Sequence, residues 1–116
     1  MSGDRRASRG DVLVVEDNRI NSVVTRRLVA RAGFVADAAY SGTEAIGRLS
    51  EHPYSLVLMD LQLPDMTGVD TARAIRQEGS PVQDRSVPIV AVTAYADGAT
   101  IQRAREEQPF GYLVKP

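Results

Sequence analysis

Five short apolar runs separate stretches of helical spacing along this chain, and that alternation limits what it can fold into. The runs lie at residues 12–16, 35–39, 55–60, 88–92 and 110–114. A continuous apolar run of this length reads as a strand buried on both faces. Strand and helix in strict alternation imply a parallel sheet with right-handed crossovers. The expected class is therefore α/β, a doubly wound five-stranded parallel sheet. In such a sheet the carboxyl ends of the strands share one edge, where open α/β folds place their ligand sites.

Four of the runs end on groups suited to phosphate or metal chemistry. Val12-Leu13-Val14-Val15 runs into Glu16-Asp17-Asn18. Leu56-Val57-Leu58-Met59 runs into Asp60. Pro88-Ile89-Val90-Ala91-Val92 runs into Thr93, and Tyr112-Leu113-Val114 into Lys115. Taken singly, each has an ordinary structural role: Asp17 as a helix cap, Thr93 as a strand residue, Tyr112 as packing. Taken together at one sheet edge, Glu16, Asp17, Asp60, Thr93 and Lys115 converge on a single pocket.

At 116 residues the chain is one domain, large enough for one core. A net charge of −1 gives no footprint for nucleic acid. Cysteine is absent, so neither a disulfide frame nor thiol chemistry is available. No apolar run approaches a membrane span and no signal-peptide core opens the chain, so a cytoplasmic location is expected. Lys115 is the single lysine among the 14 basic residues. In a chain that otherwise uses arginine, this points to a position needing a compact ammonium.

Residues 1–10, with Arg5, Arg6 and Arg9 among Ser and Gly, read as a disordered leader, leaving 11–116 as the domain. Asn18 is placed to cap the first helix. Ile20, Val23, Val24, Leu28 and Ala32 fit its apolar face, Arg26, Arg27 and Arg31 its solvated side, and Gly33 its end. Val35 to Ala39 is a weak strand near a sheet edge. Ser41-Gly42-Thr43-Glu44 fits a capping box before a helix carrying Ala45, Ile46 and Leu49, which Pro53 stops. His52, the only histidine, reads as a surface residue. Gly68 allows a tight turn into a helix with Val69, Ala72 and Ile75. A polar loop follows over residues 77–86. Asp97 is placed to cap a short helix with Ile101 and Ala104.

The motifs Val-Val-Glu-Asp-Asn, Leu-Met-Asp-Leu-Gln-Leu-Pro-Asp-Met-Thr-Gly, Pro-Ile-Val-Ala-Val-Thr-Ala and Gly-Tyr-Leu-Val-Lys-Pro, in this order, resemble the response-regulator receiver domain, the phosphoacceptor module of two-component signalling. The Glu-Asp-Asn start resembles receivers attached to hybrid histidine kinases. The resemblance implies a flavodoxin-like receiver fold with strand order 2-1-3-4-5 and helices on both faces. It implies that Asp60 is the phosphorylated residue. Glu16, Asp17 and Asp60, with the backbone carbonyl of Gln62, would hold Mg²⁺. Thr93 would hydrogen-bond the phosphoryl group, Lys115 would pair with it, and Tyr112 would turn inward as a switch. The implied partners are a histidine kinase or a histidine phosphotransfer protein. Two departures stand out. The first acid is Glu16 where the family often has Asp, and it is expected to act through water. The family also continues into a final helix beyond the Lys-Pro pair. Without that helix, one sheet face is expected to be bare and open to self-association.

The chemistry asks for these groups. Carboxylates from neighbouring strands repel, and the ways out are a raised pKa, a cation partner or a bound metal. Mg²⁺ suits an all-oxygen site of few carboxylates and a phosphate. Asp60 then acts as a nucleophile giving an acyl phosphate. Lys115, two strands or about 10 Å away, needs a long side chain to reach the developing charge. Such a domain is a switch that catalyses only its own phosphorylation and dephosphorylation. Three other readings are open. A Mg²⁺-dependent phosphohydrolase would want an acid where Gln62 stands. A non-phosphorylated receiver-like binding module would have lost part of the acidic pocket. A flavodoxin-like electron carrier would need a Ser/Thr/Gly-rich loop in place of Glu-Asp-Asn.

Overall fold

The computed structural model describes residues 10–60, 63–93 and 111–114, with Val69, Thr93 and the last four by backbone alone. Five parallel strands form one sheet: β1 (Asp11–Val15), β2 (Val35–Ala39), β3 (Leu56–Asp60), β4 (Ile89–Thr93) and β5 (Gly111–Val114). Their order is β2-β1-β3-β4-β5, with β2 at an edge as expected. Three helices are described: α1 (Arg19–Arg31), α2 (Gly42–Glu51) and α3 (Gly68–Arg76). The expected helix after Asp97 and the leader up to residue 9 lie outside the described residues. Gly10 is already part of the fold, since its carbonyl accepts the Val35 N–H at 2.9 Å.

Register explains why the apolar runs were legible. Val15 stands opposite Met59, Met59 opposite Ala91, and Asp60 opposite Val92. Alternate residues of the strands, among them Leu13, Val15, Val57, Met59, Ile89 and Ala91, form one core with Ala45 and Leu49 of α2 and Ala72 and Ile75 of α3. The other strand residues point to the opposite face, because strand side chains alternate. There Val12 and Val14 are buried, while Leu56, Leu58, Val90 and Val92 are half-buried. The first strand ends at Val15, one residue before the expected end, so Glu16 stands just past it.

Helix α1 departs from the sequence expectation. Asn18 caps it through the Asn21 N–H at 2.9 Å, and Gly33 follows it at φ 98°, both as expected. Its apolar stripe, however, is turned outward: Ile20 is 76 % exposed, Val24 53 % and Leu28 57 %. The inward side carries Ser22, which is fully buried, with Thr25, Arg26 and Val29 partly covered. Ser22 fits there because its hydroxyl accepts a hydrogen bond from Arg26 Nε at 3.2 Å, so its buried oxygen is not orphaned. Arg26, expected on the solvated side, is thereby drawn in along its stem.

The α2 and α3 starts are set by side-chain caps. Ser41 Oγ accepts the Glu44 N–H at 3.0 Å, and Glu44 Oε1 accepts the Tyr40 N–H at 2.9 Å, one residue earlier than a standard capping box. Helix α3 is entered through Thr67, whose hydroxyl accepts the Asp70 N–H at 3.0 Å. The chain bends over residues 64–66 and α3 starts at Gly68, which does this without a left-handed backbone. His52 is also more than a surface residue. Its Nε2 lies 2.5 Å from Asp11 Oδ2 and its ring packs edge-on against Tyr54, whose hydroxyl donates to Asp37 at 2.8 Å. These bonds tie the end of α2 to the starts of β1 and β3 at the sheet edge away from Asp60.

Candidate functional site

The end of β1 and the end of β3 place three acids together. Parallel pairing of these neighbours ends the two strands side by side, Val15 against Met59. Glu16 and Asp17 follow Val15, and Asp60 follows Met59. One carboxylate oxygen from each of Glu16, Asp17 and Asp60 lies within 4.8 Å of the others. Asp17 is exposed, Asp60 is half-buried and Glu16 is only 4 % exposed. Glu16 is held from two sides: its N–H donates to the Ala39 carbonyl at 3.0 Å, and its Oε2 accepts the Asn18 N–H at 3.2 Å. One Glu16 oxygen is therefore committed to backbone.

Such a cluster is electrostatically costly. Two unit charges at this separation repel by about 3.5 kcal/mol at an effective dielectric of 20, and solvent at Asp17 reduces that. An all-oxygen set of three carboxylates open to solvent on one side fits a hard divalent ion that keeps several waters. Glu16, Asp17 and Asp60 thus supply the carboxylates of the donor set expected for Mg²⁺. Among the described residues this is the only group of three acids or histidines close enough to hold a metal.

The remaining expected site residues are placed only in part. Thr93 ends β4, one residue beyond Val92, the register partner of Asp60, and its own partner is Val114 of β5. Thr93 thus lies one strand from Asp60 at the same edge. Tyr112 stands opposite Ala91. The side chains of Thr93 and Tyr112, and all of Gln62 and Lys115, lie outside the described residues.

Asp65 is a residue to which the sequence assigned no role. It lies in the β3–α3 connection, and its carboxylate grips the start of α2. Oδ1 accepts the Gly42 N–H at 2.9 Å; Oδ2 accepts the Thr43 N–H at 2.9 Å and the Thr43 hydroxyl at 2.5 Å. These bonds, the Thr43 hydroxyl foremost, lower its pKa from 3.8 to about 2. No local pattern signals this contact, because its partners are 22 and 23 residues away. Beside the cleft, the Arg19 guanidinium sits 4.1 Å over the Tyr40 ring, a cation–π contact joining the start of α1 to the end of β2.

Comparison with known proteins shows the family of the chain. The family model described as response regulator receiver domain matches residues 12–116. The chain is 33% identical over 105 residues to the polar-differentiation response regulator DivK of Brucella ovis, covering 90% of this chain and 83% of the relative. Among solved structures, the receiver domain of a sensor histidine kinase from Pseudomonas aeruginosa has a TM-score of 0.80 at 30% identity, over 92% of this chain and 85% of that one. That structure carries a magnesium ion coordinated in its active-site cleft. A LuxR-family response regulator from Aurantimonas superposes with a TM-score of 0.81 at 31% identity, over 93% and 75% of the two chains.

Proposed function

The chain belongs to the response regulator receiver domain family, and from that premise we propose that it accepts a phosphoryl group on Asp60 in a Mg²⁺-dependent phosphorelay. The observation that carries the reading is the convergence of Glu16, Asp17 and Asp60 within 4.8 Å at one sheet edge. Glu16, Asp17 and Asp60, joined by the Gln62 carbonyl, would hold the ion, which when bound neutralises the acids and the incoming phosphoryl oxygens.

An Asp60 carboxylate oxygen attacks phosphorus. A P–O bond forms, the P–N bond of a protein phosphohistidine breaks, and the freed imidazole nitrogen keeps the electron pair and takes a proton from solvent. Hydrolysis of the resulting acyl phosphate returns Asp60 and inorganic phosphate. Thr93 donates a hydrogen bond to the phosphoryl group, and Lys115 pairs with its charge. Drawing Thr93 inward frees space for Tyr112, so the surface formed by the segment after β4 and by β5 switches. The domain is a switch and has no separate substrate to turn over.

The phosphodonor is a histidine kinase or a histidine phosphotransfer protein. It has to approach the open side of the cleft, where Ile20 lies exposed three residues after Asp17. The outward stripe of Ile20, Val24 and Leu28 gives an apolar surface for that approach. The same stripe can also bring two copies together, and sedimentation with and without the donor distinguishes the two uses. A cytoplasmic location fits the reading, and no described helix is long and apolar enough to cross a membrane.

Intact mass after incubation with Mg²⁺ and a small phosphodonor such as acetyl phosphate tests the function. One phosphoryl group per chain is expected. No mass gain with the folded protein would overturn the reading, and sustained release of phosphate from ordinary phosphate esters would favour a phosphohydrolase.

A further inference from the structure

We propose that Asp65 is a positioning residue for the acidic site: it clamps the β3–α3 connection onto the start of α2 at a point five residues from Asp60. The inference rests on the phosphoacceptor reading above and adds a residue to its machinery.

Among its described residues the connection is held at three places. It leaves the sheet at Asp60, the last residue of β3. It enters α3 at Thr67, where the Thr67 hydroxyl accepts the Asp70 N–H and the Thr67 carbonyl accepts the Thr71 hydroxyl at 2.9 Å. Between these ends Asp65 accepts three hydrogen bonds from the first two residues of α2. A carboxylate at the positive end of a helix, bonded to otherwise unpaired N–H groups, is a strong anchor. The depressed pKa of Asp65 keeps it ionised throughout the physiological range.

Packing beside the clamp is close. A Cβ placed on Gly42 would lie 2.5 Å from Met66 Cγ and 2.5 Å from Thr71 Oγ1. Gly42 therefore lets Met66 and α3 come close enough for Asp65 to reach both backbone donors. Ser41 meanwhile caps α2 through the Glu44 N–H, so the helix keeps a cap of its own when Asp65 is removed. Ser41 serves the Glu44 N–H and Asp65 those of Gly42 and Thr43, so the two anchors do not duplicate each other. The same Asp65 bonds hold the segment five residues from the nucleophile. In-line phosphoryl transfer depends on aim, and a shift of about 1 Å in a reacting group can cost a hundredfold in rate.

The test uses the whole chain with Asp65→Ala, Asp65→Asn and Thr43→Val. Mg²⁺ affinity, the saturating rate of phosphorylation by acetyl phosphate and the Asp60 amide resonance are compared at a temperature where all are folded. Asp65→Ala is expected to lower the saturating rate at least tenfold, to weaken Mg²⁺ binding severalfold and to shift the Asp60 amide. Asp65→Asn, which keeps the acceptor for Gly42, should recover part of each. Thr43→Val, which keeps both backbone donors, should have the smallest effect in the same direction. If Asp65→Ala melts earlier but matches the parent in metal affinity, rate and Asp60 resonance, Asp65 only caps α2 and the proposal falls. If Asp65→Ala does not fold, Thr43→Val decides by the same three readouts. If the parent protein itself takes no phosphoryl group, the phosphoacceptor reading fails; the metal affinity and the amide shift still judge the clamp.

Discussion

Glu16 and Asp60 bring carboxylate oxygens within 4.8 Å of each other from the ends of two adjacent strands, one buried and bonded to backbone, the other half-buried. With Asp17 beside them, the folded state concentrates negative charge that the unfolded chain spreads out. Asp60→Asn removes one of these charges at nearly constant shape and should keep the fold. It should also abolish the phosphoryl mass gain. Mass spectrometry and urea unfolding check both outcomes. A labelled Asp60→Asn protein would place the acceptor elsewhere.

The two β1 acids should differ in their effect on the metal. Asp17 is exposed and Glu16 already spends one oxygen on the Asn18 N–H. Asp17→Asn is expected to weaken Mg²⁺ binding by tenfold or more, about 1.4 kcal/mol, and Glu16→Gln by less. Calorimetric titration decides, and an equal or larger loss in Glu16→Gln would reverse the order.

Acid should reveal the Asp65 clamp. Its folded pKa, about 2, lies below the ordinary 3.8, so the stability it contributes is fully present above pH 4–5. That contribution is lost as pH falls from there toward 2, because the unfolded chain binds the proton first. Between pH 5 and 3, Asp65→Asn should lose less of its urea midpoint than the parent does. Parallel curves would contradict the assignment.

The turned-out face of α1 predicts an inverted mutational pattern. Ile20→Gln and Leu28→Gln remove exposed side chains and should change stability by less than about 0.5 kcal/mol. Ser22→Leu forces bulk into a fully buried polar position and should cost about 1–3 kcal/mol. Ile20→Gln should nonetheless slow phosphotransfer from a protein donor while leaving labelling by acetyl phosphate unchanged. Thermal unfolding and the two labelling rates together check this.

Phosphorylation should be felt along β4 and β5. Thr93 and Val114 are register partners, and Lys115 follows Val114 in the chain. A single charge-assisted hydrogen bond to Thr93 contributes about 1.5–3 kcal/mol, so the two states must lie close in free energy. Amide spectra of the free and beryllofluoride-treated protein should differ around residues 93–100 and 110–114. Superimposable spectra there would remove Thr93 and Tyr112 from the switch.

The sequence alone determined the strands, their parallel sense and the acids at their ends. Runs apolar on both faces carry little ambiguity of orientation: Val12–Val15 is buried throughout and Leu56–Met59 alternates between buried and half-buried, so the residue after each run emerges at the sheet edge whichever way the strand is turned. Caps were legible for the same reason, since Asn18 and Ser41 act on N–H groups three residues away. Only the tertiary structure decided which side of α1 faces inward. Helical spacing says which residues share a face but not what that face meets, and here Ser22 went in while Ile20 stayed out. Tertiary structure also decided the pairing of His52 with Asp11 across 41 residues and of Asp65 with Gly42 across 23. Those bonds exist because the parallel crossovers bring distant chain ends to the same sheet edge, and no local pattern of residue types records which distant partner will arrive there.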